Sequence, residues 1–151
     1  MKARDLFERY QGLGIIILFM IIVFSSIARA AMPSDPHTIA MVDSVRTEIE
    51  EQGIKHPNIV LRQSIWETGW YKCDNCSRRY NNLFGFRHKS WVSEGNPKGY
   101  LKFDTWQASV VYYKKWQKKR YKEGDYYTFL INVGYAQDGD LYVSHLKSLS
   151  V

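Results

Sequence analysis

The chain has 151 residues, a formal net charge of +6 and 45% hydrophobic content. Those values exclude a disordered tail, a multi-domain enzyme and a multi-span membrane protein. Aromatic residues are plentiful, with 5 Trp, 11 Tyr and 7 Phe. Some of them fill a core, and the Tyr and Trp surplus points to a surface that stacks against a ligand.

Residues 1–30 stand apart. Lys2, Arg4 and Arg9 precede an unbroken apolar stretch from Leu13 to Phe24, and no charge occurs between Arg9 and Arg29. Ala28-Arg29-Ala30 places small residues where a signal peptidase reads them, so cleavage before Ala31 is expected. The uncharged gap is also close to the ~20 residues a membrane span needs, so the alternative to cleavage is an N-terminal membrane anchor through residues 10–28. Either way the basic flank puts the remainder outside the cytoplasm, in the periplasm or cell envelope, held at the inner membrane if the segment stays attached. The expected organisation is a signal peptide or anchor over 1–30 and one domain over 31–151.

Within that domain, Asp35 caps and Pro36 opens a first helix, with Ile39, Val42, Val45 and Ile49 on one face and Gly53 closing it. Pro57 opens a second helix through Leu61, Ile65 and Thr68 that Gly69 ends. Phe84 to Val92 and Gly99 to Phe103 read as two short strands, and the turn-forming Glu94-Gly95-Asn96-Pro97-Lys98-Gly99 makes them a hairpin. Asp104 or Thr105 caps a third helix with Trp106, Val110, Tyr113 and Trp116 near one face. Tyr126 to Val133 and Leu141 to Leu149 read as two shorter helices. The fold class is α+β, predominantly helical.

Two strings carry chemistry. In Gln63-Ser64-Ile65-Trp66-Glu67-Thr68-Gly69-Trp70, Glu67 falls in the last turn of its helix, where the negative end of the helix dipole disfavours its ionised form. Trp66 and Trp70 add an apolar wall with the same effect. A carboxyl so placed stays protonated near neutral pH and can donate to a leaving oxygen; the plain alternative is an exposed Glu at a frayed helix end. In Tyr80-Asn81-Asn82-Leu83-Phe84-Gly85-Phe86, the two Asn suit a turn that either holds its own loop or faces a polar ligand.

Together the strings resemble the glucosaminidase family of peptidoglycan hydrolases, family 73 of the glycoside hydrolases, which includes bacterial autolysins and the flagellar rod hydrolase. The shared features are Gln63 with Glu67-Thr68-Gly69-Trp70, then Asn81-Asn82-Leu83-Phe84-Gly85, then the aromatic Phe103 to Trp106, then Gly134-Tyr135-Ala136-Gln137-Asp138. Each is weak alone; four in order over most of residues 35–149 are specific. The resemblance implies a lysozyme-like fold with a small β-hairpin lobe. It implies an exported enzyme cleaving the β-1,4 bond between N-acetylglucosamine and N-acetylmuramic acid in peptidoglycan glycan strands. It carries the catalytic acid onto Glu67 and the active-site tyrosine onto Tyr135. Glu94, alone among carboxylates of the hairpin, is the candidate second carboxylate, with assistance by the substrate's 2-acetamido group as the alternative. Trp70, Asn81, Asn82, Phe84 and Asp138 are the candidate substrate-binding residues, Asp138 with an equal claim to capping the last helix. Neither a cofactor nor a metal is implied. The rival readings are a lytic transglycosylase on the same fold and a glycan-binding or assembly protein without turnover.

Cys73 and Cys76 depart from the family pattern and read as a local disulfide or two free thiols near the cleft edge. A zinc site joining them to His56 and His88 lacks a second close pair. The basic run Lys114, Lys115, Lys118, Lys119, Arg120 and Lys122 is a solvated helix face that suits an anionic wall polymer or membrane surface; export argues against nucleic acid. Tyr112, Tyr113, Trp116, Tyr121, Tyr126 and Tyr127 divide between core and sugar cleft.

Overall fold

The computed structural model describes residues 33–88 and 95–151. The export segment expected over residues 1–30, with its apolar run at 10–28, and Glu94 on the hairpin turn lie outside the described residues. Among the described residues five α-helices follow in order: α1 (Pro36–Glu51), α2 (Pro57–Thr68), α3 (Trp106–Arg120), α4 (Tyr126–Asn132) and α5 (Gly139–Ser148). A 3-10 turn, Ser77–Tyr80, lies between α2 and α3.

The helix ends follow from their capping residues. Asp35 accepts from the Thr38 amide at 3.0 Å, Thr105 from Ala108 at 3.2 Å, and Asp125 from Thr128 at 2.8 Å. The Lys72 ammonium forms an ion pair with Asp35, tying the loop after α2 to the start of α1. The buried stripe of α1 is Thr38, Val42, Val45 and Ile49. Ile39, expected on that face, is 37% exposed. One helical position is a rotation of about 100°, so a stripe through 42, 45 and 49 runs back to 38 rather than 39.

Helix α2 is the central element, packed on α1 and on α5; α5 also packs on α4, and α3 on α1. The core between them contains Val42, Val45, Ile49, Leu61, Ile65, Phe84, Val110, Leu130 and Leu146. It is also unusually polar. The Tyr113 hydroxyl donates to Gln63 Oε1 at 2.5 Å and shares a 2.7 Å hydrogen bond with the Tyr126 hydroxyl. Gln117 Nε2 donates to that same Tyr126 oxygen and to the Lys55 carbonyl, both at 2.8 Å. A fully paired buried network of this kind fixes the relative register of α2, α3 and α4, because any slip strands a polar group without water.

The predominantly helical architecture agrees with a lysozyme-like domain. The β-hairpin lobe is not shown: among the described residues the two expected strands meet at one antiparallel bridge, Arg87 with Tyr100. Backbone bonds flank the bridge, from the His88 amide to the Gly99 carbonyl and from the Leu101 amide to the Phe86 carbonyl, both at 2.9 Å, and side-chain amides add to them. Asn96 Oδ1 accepts from the Tyr100 amide at 3.0 Å while its Nδ2 donates to the Tyr100 carbonyl at 2.9 Å. Asparagines that bond locally in this way compete with regular strand pairing.

Candidate active site

Helix α2 ends in a Schellman-type turn. Gly69 adopts φ 53°, and the Trp70 amide bonds to the Ile65 carbonyl at 3.0 Å. Thr68 is buried, its hydroxyl donating to the Ser64 carbonyl at 2.6 Å and accepting from the Tyr71 amide at 3.1 Å. These bonds pin the last turn, so Glu67 is held on a rigid helix end rather than a frayed one. Trp70 and Tyr71 follow at φ 60°, a region uncommon for bulky residues.

Glu67 faces a cavity of about 560 Å³ whose walls include Trp66, Phe84, Gly85, Arg87, Trp116, Arg120, Tyr135 and Tyr142. Burial pushes its carboxyl up from 4.5 to about 7, against the opposing pull of a hydrogen bond from Tyr142 and the positive charge of Arg87. The apolar surroundings therefore prevail, and Glu67 keeps its proton in about half of the molecules at neutral pH and in most of them below it. Tyr142 is itself placed by Gln63, whose Nε2 donates to the Tyr142 hydroxyl oxygen at 3.3 Å. Gln63 lies one turn before Glu67 on the same helix, so one element supplies both the acid and the anchor of the acid's partner.

The Asn-Asn-Leu-Phe-Gly string builds the opposite wall. Asn82 is fully buried and satisfies its whole amide: Nδ2 donates to the Phe86 and Leu101 carbonyls at 2.8 and 3.0 Å, and Oδ1 accepts from the Phe84 and Phe86 amides at 3.3 and 3.1 Å. Phe84 is inserted in the core against Tyr113, with ring centroids 4.4 Å apart. Gly85, at φ 67°, brings bare backbone against the acid: a Cβ there would stand 2.5 Å from Glu67 Oε2 and 3.1 Å from its Cδ. Tyr135 reaches across, its hydroxyl donating to the Phe84 carbonyl at 2.7 Å, and its ring stacks on Tyr142 at 5.6 Å.

The structure thus brings Glu67, Phe84 and Tyr135 to one cavity and places Trp70, Asn81, Asn82 and Asp138 away from it, while Glu94 lies outside the described residues. Trp70 packs on the core, and the exposed indole at the cavity is that of Trp66, 42% accessible and 4.2 Å from the His145 ring. Asn81 Nδ2 donates to the Phe103 and Asp104 carbonyls, both at 3.0 Å, and closes the 3-10 turn. Asp138 is exposed and caps α5 through the Leu141 amide at 3.0 Å. Asn82 holds the loop rather than facing the cavity. Arg87, Arg120 and Tyr142 are additions. Nothing local in the sequence marks Tyr142, because its role depends on α5 packing against α2.

Of the aromatic set expected to divide between core and cleft, Tyr113, Tyr121 and Tyr126 are buried, and Trp116 lines the cavity. Cys73 and Cys76 are free thiols, with Cys76 Sγ donating to the Cys73 carbonyl at 3.2 Å; burial and the neighbouring thiol push Cys76 up to about 11. His56 is taken by Tyr121, hydrogen-bonded at 2.8 Å, and stacks on Tyr126. Among the described residues no group of three or more His, Cys, Asp or Glu gathers in metal-binding range.

No curated protein and no solved structure matches the chain. A family model does. Over residues 42–150, which include the helix end with Glu67, the Gly85 wall and Tyr135, the chain matches the glucosaminidase model, described as mannosyl-glycoprotein endo-β-N-acetylglucosaminidase, and it belongs to that family of glycoside hydrolases.

Proposed function

We propose that this glucosaminidase is an exported peptidoglycan hydrolase that cleaves the β-1,4 bond between N-acetylglucosamine and N-acetylmuramic acid, with Glu67 as general acid. The observation that carries this reading is the state of Glu67: a carboxyl at a rigid helix end, inside a cleft, pushed up to about 7 by burial. An acid with that affinity for its proton is matched to donation near neutral pH.

In the reaction the bond between the anomeric carbon of N-acetylglucosamine and the muramoyl oxygen breaks. The Glu67 proton goes to that leaving oxygen, which keeps the bonding electron pair. The positive charge developing at the anomeric carbon is met by Glu94 or by the 2-acetamido oxygen, and water then completes hydrolysis. Trp66 supplies an exposed ring on which a sugar face can stack, and Trp116 forms part of the same cavity. Tyr135 acts through the backbone: its hydroxyl proton is committed to Phe84, which keeps Gly85 against Glu67. Residues 1–30 deliver the domain across the membrane and either leave it or hold it there.

Among the described residues lining the cavity, Glu67 is the one carboxylate. That favours as second reading a lytic transglycosylase, which also needs one acid. Digestion of purified peptidoglycan tests both. New N-acetylglucosamine reducing ends support the hydrolase, 1,6-anhydro-muramoyl ends support the transglycosylase, and no release of fragments supports a binding protein.

A further inference from the structure

All six cations in the basic run around α3 are exposed, and five of them, Lys114, Lys115, Lys118, Lys119 and Lys122, stand apart from the Glu67 cavity. Those in the last turn of α3 have an ordinary explanation, since positive charge there complements the helix dipole. Arg120 differs, because it also lines the Glu67 cavity. Arg87 lines the same cavity from the other wall. Its guanidinium lies 5.0 Å over the Tyr100 ring, with Nη2 3.4 Å from the Tyr100 hydroxyl, contacts that orient it without neutralising it. Among the described residues neither arginine has an acidic partner.

Among the described residues both guanidinium groups of the cleft lack an acidic partner, and the charge of Arg87 acts against the acid. The charge of Arg87 pulls the Glu67 pKa down, opposing the burial that keeps the acid protonated. An anion seated on the arginines cancels that pull. We infer that Arg120 and Arg87 form an anion subsite of the cleft that binds a carboxylate on the glycan substrate, so that carboxylate-bearing strands are preferred over neutral N-acetylglucosamine polymers. The inference rests on the cleft being the glycan site. Guanidinium suits this task because its planar fork bonds a carboxylate through two parallel N–H donors. Two sources share the chemistry, the lactyl carboxylate of a muramoyl residue without peptide and the carboxylates of an attached peptide stem.

The test measures affinity on the full chain carrying Glu67→Gln, so that ligands stay intact, with and without Arg120→Gln or Arg87→Gln. Three soluble tetrasaccharides are the probes: chitotetraose, the muramoyl-containing glycan without peptide, and the same glycan with stems. Each arginine substitution is expected to weaken the carboxylate-bearing ligands about tenfold, the size of one charge-assisted pair at ~1.4 kcal/mol, and to leave chitotetraose within twofold. The loss should shrink in high salt. A loss confined to the stem-bearing glycan assigns the stem; a loss confined to the peptide-free muramoyl glycan assigns the lactyl carboxylate, which is an amide in the stem-bearing ligand; a loss on both means that the arginines accept either carboxylate. Equal effects on all three ligands, or none on any, overturn the subsite. Failure of the wild-type chain to release reducing ends from peptidoglycan overturns the hydrolase reading instead, and it is read in a separate assay.

Discussion

Gly85 and Glu67 are in direct opposition: the glycine backbone occupies the space beside the carboxyl so closely that one added methyl would lie 2.5 Å from Oε2. The relationship explains why a helix end and a loop remote from it in sequence have to be read together. Gly85→Ala brings two penalties, a left-handed φ that costs about 1 kcal/mol for a residue with a Cβ, and displacement of the acid. Turnover is expected to fall about 100-fold, the order seen when a reacting group is misplaced by about an ångström, with the fold retained. Circular dichroism with reducing-end release checks both parts; activity within a few-fold of wild type would sink the relationship.

Glu67→Gln removes the proton that the mechanism donates, and activity should drop 100- to 10,000-fold. The same substitution has a stability signature. The folded carboxyl holds its proton up to about 7, whereas its ordinary value is 4.5. Between those values the folded chain keeps a proton that the unfolded chain has released, so stability falls as pH rises through this window and stays lower above it. The effect is at most about 3 kcal/mol. Glu67→Gln should therefore raise the melting temperature at pH 8 and change it little at pH 4. A gain of equal size at both values would show that burial does not raise the acid.

Tyr142→Phe removes the hydrogen bond that favours the Glu67 carboxylate, so the Glu67 pKa should move higher than about 7. Activity requires the protonated acid, and the alkaline limb of the kcat profile is expected to shift to higher pH. Gln63 Nε2 loses its acceptor at the same time, which costs about 1–3 kcal/mol of stability. An alkaline limb that stays in place, or moves down, contradicts the assigned direction.

The five helices are legible because their signals are local: Pro36 and Pro57 at helix starts, Asp35 and Thr105 as caps, Gly69 as the stop. The acid is legible for the same reason, although the sequence suggests the helix dipole and the indoles, and burial is the larger cause in the folded chain. Of the hairpin only the antiparallel meeting of Arg87 with Tyr100 is seen, its turn lying outside the described residues. The cleft walls are legible only in part. Trp66 rather than Trp70 faces the cavity because the three left-handed residues Gly69, Trp70 and Tyr71 swing the chain away after α2. Tyr142 and Arg120 come to Glu67 through the packing of α5 and the length of α3, and no spacing in the sequence encodes that meeting.

Asn82→Ala tests whether this residue binds ligand or builds the wall. Four hydrogen bonds to backbone groups are lost at a fully buried position, and the loss of stability is expected to be about 3 kcal/mol or more, the sum of a few bonds left unmade. Turnover of the folded fraction should fall as well, because Phe84 and Gly85 are released. Denaturant unfolding decides: an unchanged midpoint with a raised KM would instead make Asn82 a ligand contact.

Tyr135→Phe and Asp138→Asn separate two residues that share one motif. Tyr135 donates from within the cavity to the Phe84 carbonyl, so its phenylalanine variant unties the wall beside the acid while keeping the stacked ring. About tenfold lower kcat is expected, with KM nearly unchanged, since the loss is one neutral hydrogen bond of about 1 kcal/mol expressed where the reacting geometry is set. Asp138 accepts from the Leu141 amide at the start of α5, and asparagine caps a helix about as well as aspartate. Asp138→Asn should therefore retain both activity and melting temperature, while Asp138→Ala should lose about 1 kcal/mol of stability through the missing cap. A large fall in kcat for Asp138→Asn at unchanged stability would assign that carboxylate a part in the reaction, and would remove the need for Glu94 to supply one.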